Sequence, residues 1–331
     1  MVKMVLHGVM SPQLMGKLMR MVEGDLMKMQ AGKLDMLPIT KLASIGSRGV
    51  HPNNCWKDLK RILPEPKLPK LFHLQLPLVH TSMGRFTHSV PMLLPHQLFA
   101  SLHKHYSDMF TEMFLGSRTN NKKFWAAVKD SPQFKAHKVG TRPGFEENCI
   151  PLKIHGDGTP VTGLGKGWGK LVDIFSVSSM LTHGPTMLRS MMIFLMFQHL
   201  ICKDADHKTM DNVFRMFIWS FQACWEGKHP RIDWNGDPMH YPEAGEDLCG
   251  GYFFCVWSLI QDLEHACKVY DLPNPTANAC CPLCPVGREL GCKWFDFRPD
   301  AVWMQHIYDE ISWLQRGQPC LQPWKCSHQC L

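Results

Sequence analysis

Residues 149–182 constrain the fold of this chain more than any other stretch. Cys149-Ile-Pro-Leu-Lys-Ile-His155-Gly-Asp157-Gly-Thr-Pro160 alternates over 150–154 in strand fashion and then reaches one acid set between two glycines. A glycine-rich turn follows, Gly163-Leu-Gly-Lys-Gly-Trp-Gly-Lys170, and the chain re-enters an apolar, β-branched run from Leu171 to Leu181. This order predicts two antiparallel strands with a carboxylate at the end of the first. Gly156 and Gly158 leave little side-chain bulk beside Asp157, so a metal ion or a polymer backbone has room to approach. The same residues also suit an ordinary hairpin whose acid bonds its own turn backbone.

A second strand signal lies far downstream. Gly251-Tyr-Phe-Phe-Cys-Val-Trp-Ser-Leu-Ile-Gln-Asp262 is an apolar run without alternation that ends on an acid. Such a run fits a strand buried on both faces, as at the centre of an α/β sheet. A helix over Leu263 to Tyr270 is expected to stop before Pro273. Between the two signals, Pro185 to Cys202 and Asp211 to Trp225 read as apolar helices, with Asp211 a candidate cap for the second. The most apolar part of the first, Met191 to Cys202, is too short to span a bilayer and reads as core helix.

Upstream, residues 1–66 are rich in Met and Lys with weak helical periodicity, and are expected to form either a flexible basic arm or a loose helical pair. Nine methionines in the first 36 residues pack adaptably and specify little. Residues 67–94 are extended and punctuated by proline, with Leu71 to Leu76 alternating as a strand does. Pro95 to Phe114 predicts a helix with an apolar face of Leu98, Phe99, Leu102, Tyr106 and Phe110. Lys122 to Val128 predicts a short helix, and Pro143 and Gly144 a boundary. The expected division is therefore 1–66, 67–144, 145–300 and a tail at 301–331.

Charge is unevenly placed along the chain. Residues 1–150 carry 21 Lys+Arg against 10 Asp+Glu, whereas residues 151–331 carry 15 against 19. A basic half joined to an acidic half points to a polyanion-binding part and a cation-binding part. The 14 cysteines are read as mostly reduced and buried, in an intracellular chain with no leading charged-then-apolar segment.

Several motifs bear on chemistry. A phosphate loop ending on Gly169-Lys170 fails at Leu164 and Leu171, and a dinucleotide fingerprint starting at Gly163 fails at Trp168. Lys122, Lys123 and Lys129 interleave with Phe124 and Trp125, as a nucleic-acid surface requires, and equally as an amphipathic helix with a wet lysine face requires. Cys281-Pro-Leu-Cys284 is half of a zinc site, with Cys292 and His265, or Cys326, His328 and Cys330, as the only candidates for the other half. Asp157 and Asp262 stand 105 residues apart, each at the end of an expected core strand. Brought together, two carboxylates repel unless a cation sits between them. With Mg²⁺ or Mn²⁺ they form a template for phosphodiester chemistry.

Taken together, His155-Gly-Asp157-Gly with Pro160, the glycine-lysine turn, the buried strand ending on Asp262, and Cys281-Pro-Leu-Cys284 after a helix resemble the catalytic core of RNase H-like DDE/D transposases. The similarity is to the CACTA (En/Spm) class and to uncharacterised proteins derived from such elements, and it covers roughly 145–300. The resemblance implies an α/β fold, an RNase H-like mixed sheet with flanking helices after a basic, mostly helical region. It implies Asp157 and Asp262 as catalytic Mg²⁺ ligands, Cys281 and Cys284 as a Zn²⁺-type pair, DNA as partner, a nuclear location (cytoplasmic as the alternative), and a homo-oligomer as one form. The family's third acid lies on a later helix. Asp296, Asp300, Asp309 and Glu310 match no such motif, so the chain is expected to end before it, which leaves catalytic activity open. Two other readings stand beside this one: a non-enzymatic nucleic-acid-binding protein with a zinc-stabilised knob, and a decayed mobile-element product.

Overall fold

The computed structural model describes residues 11–28, 37–63, 67–117, 119–160, 171–203, 208–270, 272, 281, 296, 298, 300 and 301. The chain divides into two compact units, 1–67 and 68–331. In the first, α1 (Pro12–Lys28), α2 (Leu37–Ala43) and α3 (Pro52–Ile62) surround a small core of Met15, Met19, Ala43, Ile45, Cys55 and Leu59. Arg20 donates to the Ala43 and Ile45 carbonyls at 2.8 Å each, satisfying acceptors that the end of α2 leaves open. The described part of 1–66 is thus helical, with a core of its own.

The second unit opens with a hairpin, β1 (Phe72–His80) and β2 (Gly84–Met92), in unbroken antiparallel register. Helix α4 (Pro95–His105) follows. The helix expected to run on to Phe114 breaks at Tyr106 (φ −141, ψ 52) and resumes as a four-residue helix and a π-turn that ends at Gly116. Helix α5 (Asn120–Val128) leads through short turns to β3 (Cys149–Pro160). No boundary falls at Pro143 and Gly144. One core runs from Leu74 to Tyr270, so residues 67–144 pack into the same body as the sheet.

The sheet has four strands in the order β5-β4-β3-β6. Strand β4 (Leu171–Ser179) is antiparallel to β3, β5 (Met191–Phe197) is antiparallel to β4, and β6 (Phe253–Ile260) is parallel to β3. Between β5 and β6 the long helix α6 (Thr209–Glu226) buries Val213, Phe214 and Phe217 in the main core. A short helix, α7 (Leu263–Val269), follows β6. Phe253 to Trp257 are buried on both faces of β6, as the unalternating run requires.

Two expectations are corrected here. Met191 to Cys202 is not a core helix: 191–197 form β5 on the edge of β4, and 198–200 a 3₁₀ turn. Short apolar runs carry no decisive periodicity, and a free sheet edge decided this one. The bulge between Phe175 and Ser176 also blurs any alternation. Asp211 lies in the first turn of α6 rather than at its cap, which is Lys208. The far end of α6 closes on Gly227 in the left-handed conformation (φ 70), and Arg142 donates to the Trp225 and Glu226 carbonyls while stacking on Phe253.

Candidate active site

Strands β3 and β6 pair in parallel from Cys149 opposite Phe253 to His155 opposite Ile260. Asp157 and Asp262 each lie two residues beyond that last pair. The register therefore carries the two acids to the same end of neighbouring strands. The shift between Leu152 and Lys153 sets this match, because 105 residues separate the acids as well as His155 and Ile260, one more than separates Cys149 and Phe253. Asp157 is half-buried and Asp262 exposed. By strand alternation Asp157 shares its face with exposed His155, while Gly156 and Gly158 face the opposite side.

What fills the glycine side is part of this chain. A Cβ on Gly156 would stand 2.6 Å from Cε1 of His265, and one on Gly158 would stand 2.8 Å from Nε2 of Gln198. The room predicted beside Asp157 is thus occupied, on that face, by two of the protein's own side chains. His265 reaches it from the first turn of α7, where Asp262 caps the helix by accepting the His265 N–H at 2.6 Å. One oxygen of Asp262 is therefore engaged with backbone.

Behind the acid pair sits a polar cluster inside apolar surroundings. Asp173 of β4, opposite Gly158, is 2% exposed and accepts from Gln198 Nε2 at 2.6 Å. His265 is 3% exposed, with Nε2 3.6 Å from Asp173 Oδ1 and Nδ1 3.2 Å from Gln261 Oε1. Burial raises the proton affinity of Asp173, opposed first by the Gln198 hydrogen bond and then by His265. Burial lowers that of His265, against the pull of Asp173, Asp262 and Asp157, so all three carboxylates act on the ring.

The sequence reading missed Asp173 and Gln198. The available signal was a single charge inside Leu171-Val-Asp-Ile-Phe, an otherwise apolar strand. In the sequence His265 stands only as a candidate zinc partner beside Cys292, whereas in the fold its ring packs between Gly156 and Phe175.

The remaining candidates separate. Trp125 is 1% exposed, its indole N–H donates to the Cys149 carbonyl at 3.0 Å, and its ring packs on Trp257 and Phe145. It anchors α5 to the sheet and is closed to stacking with bases. Lys122 pairs with Glu147 at 2.7 Å, and Lys123 and Lys129 are exposed. Cys281 is half-buried; Cys284, the other cysteines and histidine weighed for zinc, the glycine turn at 161–170, Asp309 and Glu310 lie outside the described residues. Asp296 pairs with Arg298.

Among the described residues, no group of three or more His, Cys, Asp or Glu side chains is arranged to hold a metal ion. No described helix is long and apolar enough to cross a membrane. Comparison with protein-family models, with curated proteins and with solved structures found no match.

Proposed function

We propose that this chain is an RNase H-like, transposase-derived protein whose reaction is divalent-metal-dependent cleavage and transfer of DNA strands. The observation that carries the reading is the parallel register of β3 and β6, which brings Asp157 and Asp262 to one end of adjacent strands. The topology is in keeping with it: three antiparallel strands in sequence, a helical crossover, and a fourth strand beside and parallel to the first. Asp157 and Asp262 would hold Mg²⁺ or Mn²⁺, and the chemistry supplied there would be activation of a water or 3′-hydroxyl and stabilisation of the leaving oxygen. Exposed Lys123 and Lys129 supply cationic contacts for phosphates.

The test is nicking of supercoiled DNA by the full chain in Mg²⁺ or Mn²⁺. Activity that falls to background in both Asp157→Ala and Asp262→Ala supports the reading, and activity that survives either change overturns it.

One observation favours a second reading, DNA binding without catalysis. Asp262 already caps α7, and no third carboxylate joins the pair among the described residues. That reading predicts salt-sensitive DNA affinity that both aspartate variants retain.

A further inference from the structure

The helical unit at the start of the chain turns outward one helix face whose chemistry its own fold does not use. On α3, Cys55, Asp58 and Leu59 are buried and Ile62 packs on the small core. Asn53, Trp56, Lys57, Lys60 and Arg61 are exposed, and at about 3.6 residues per turn they share the opposite side of the helix. Asp58 is the only acid in α3, and it points inward: the Gly46 N–H donates to its Oδ2 at 3.0 Å and Arg61 donates to its Oδ1 at 3.3 Å. The outer face therefore presents no carboxylate of its own. Arg61 is steadied from behind by Asp58 while its side chain stays 59% exposed. Among the described residues Lys57 and Lys60 form no ion pair. The turn before α3 adds a further cation. A Cβ on Gly46 would stand 3.3 Å from Cys55 Sγ and one on Gly49 would stand 3.3 Å from Asn54 Nδ2, so this turn lies against the helix, and it carries exposed Arg48. Cations in a last turn suit the negative end of a helix, which accounts for Lys60 and Arg61. It does not account for Lys57, for Arg48, or for an indole left 38% exposed among them.

We infer that the outer face of α3 is a docking surface for double-stranded DNA, with Lys57 and Lys60 on phosphates and Asn53 and Trp56 turned toward the base edges. Charge complementarity selects a polyanion, because the face is cationic and its one acid is withdrawn. Shape selects the duplex. The major groove of B-form DNA is about 12 Å wide and admits an α-helix, and an asparagine amide can read adenine there. The deep, narrow major groove of A-form RNA does not admit one. An anionic membrane is the weaker fit, since a helix lying on a bilayer sinks an apolar face into it, and that face of α3 is already used by the unit's own core. This surface is separate from Asp157 and Asp262 and stands whether or not the nuclease reading holds.

Fluorescence anisotropy of the full chain with a labelled short DNA duplex, titrated at several salt concentrations, tests it. The wild type is expected to bind the duplex more tightly than either of its single strands. Lys57→Ala with Lys60→Ala should weaken duplex binding on the order of 10–100-fold at 0.1 M salt and make the dependence of log affinity on log salt shallower by about 2. Lys57→Arg with Lys60→Arg should keep the wild-type affinity, and so should the Asp157→Asn/Asp262→Asn double variant, which separates this surface from the strand acids. Circular dichroism checks that each variant keeps its helix content; should the alanine pair lose it, Lys57→Gln with Lys60→Gln takes its place. No duplex binding by the wild type, an alanine pair with unchanged affinity and salt dependence, tighter binding to single strands, or binding to phosphatidylserine vesicles in place of the duplex overturns the inference.

Discussion

The two ends of the β3–β6 pair differ in chemistry although the same two strands make both. At the amino end, Cys149, Phe253, Cys255 and Trp257 pack with Trp125 and Val139 into a sealed apolar cluster, and Arg142 caps α6 above Phe253. Toward the carboxyl end lie His155 and Asp157 of β3, Ile260 at the end of β6 and Asp262 two residues on, half-buried or exposed, with His265 and Asp173 packed behind them. The dry end fixes register through close packing, and the register then determines which residues meet at the wet end. A cluster of charged groups is costly to hold together alone, and here its position is dictated from a distance by apolar contacts.

Breaking the dry end is expected to have the largest effect on the fold. Trp125→Ala removes a fully buried indole and leaves the Cys149 carbonyl without its donor, a loss of about 3–5 kcal/mol. Chemical denaturation reads it as a lowered midpoint, and a change under 1 kcal/mol would mean that the aromatic cluster does not hold the register. Asp157→Asn, by contrast, is expected to leave stability unchanged or raised, because it relieves carboxylate repulsion.

Gly156→Ala sharpens the comparison from the middle of β3. Its Cβ must displace the His265 ring, which costs about 1–3 kcal/mol in the same measurement. It should also weaken metal binding by Asp262, because His265 and Asp262 share the first turn of α7. Equal stability of wild type and variant would show that the ring does not press on the strand.

His96 provides a reference away from both ends. It is buried where α4 meets α6, with its own N–H and its Nδ1 both on the Ser220 hydroxyl, and burial together with His229 lowers its pKa to about 3. The unfolded chain takes up this proton below pH ~6.5 and the folded chain only near pH 3, so stability is whole above pH ~6.5 and is lost as the pH falls. The loss is about 2 kcal/mol by pH 5. Thermal unfolding at pH 7 and pH 5 checks it; His96→Gln should remove most of the difference, and a pH-independent midpoint contradicts it.

The smallest expected effect is at the surface. Lys123→Ala with Lys129→Ala should leave stability within about 0.5 kcal/mol. In DNA-binding titrations the dependence of log affinity on log salt should fall by roughly 2 units if both lysines contact phosphates.

Much of this arrangement was legible in the sequence, for reasons that differ by element. The unbroken run at 251–260 fitted a strand buried on both faces, and Phe253 to Trp257 are buried so. Asp262 stood out because it closes that run, and Asp157 as one acid between two glycines; the expected strand end at Asp157 lies three residues early, because β3 runs on to Pro160. Strand β5 was not legible: its pairing with β4 is a long-range event, and seven apolar residues look alike in a helix or a strand. Trp125 misled for a related reason, since its basic neighbours mark the outer face of α5 while the indole turns inward. Asp173 and His265 meet across 92 positions, and nothing local in either segment announces the other. The glycines beside Asp157 carried a correct signal of close approach, but on that face the approaching groups belong to the chain itself.

Manganese binding followed by electron paramagnetic resonance tests the central claim most directly. If Asp157 and Asp262 share a divalent ion, the full chain binds Mn²⁺ in competition with Mg²⁺, and Asp157→Asn or Asp262→Asn alone abolishes that binding while Asp173→Asn preserves it. Mn²⁺ affinity that is the same in wild type and in the Asp157→Asn/Asp262→Asn double variant would contradict it.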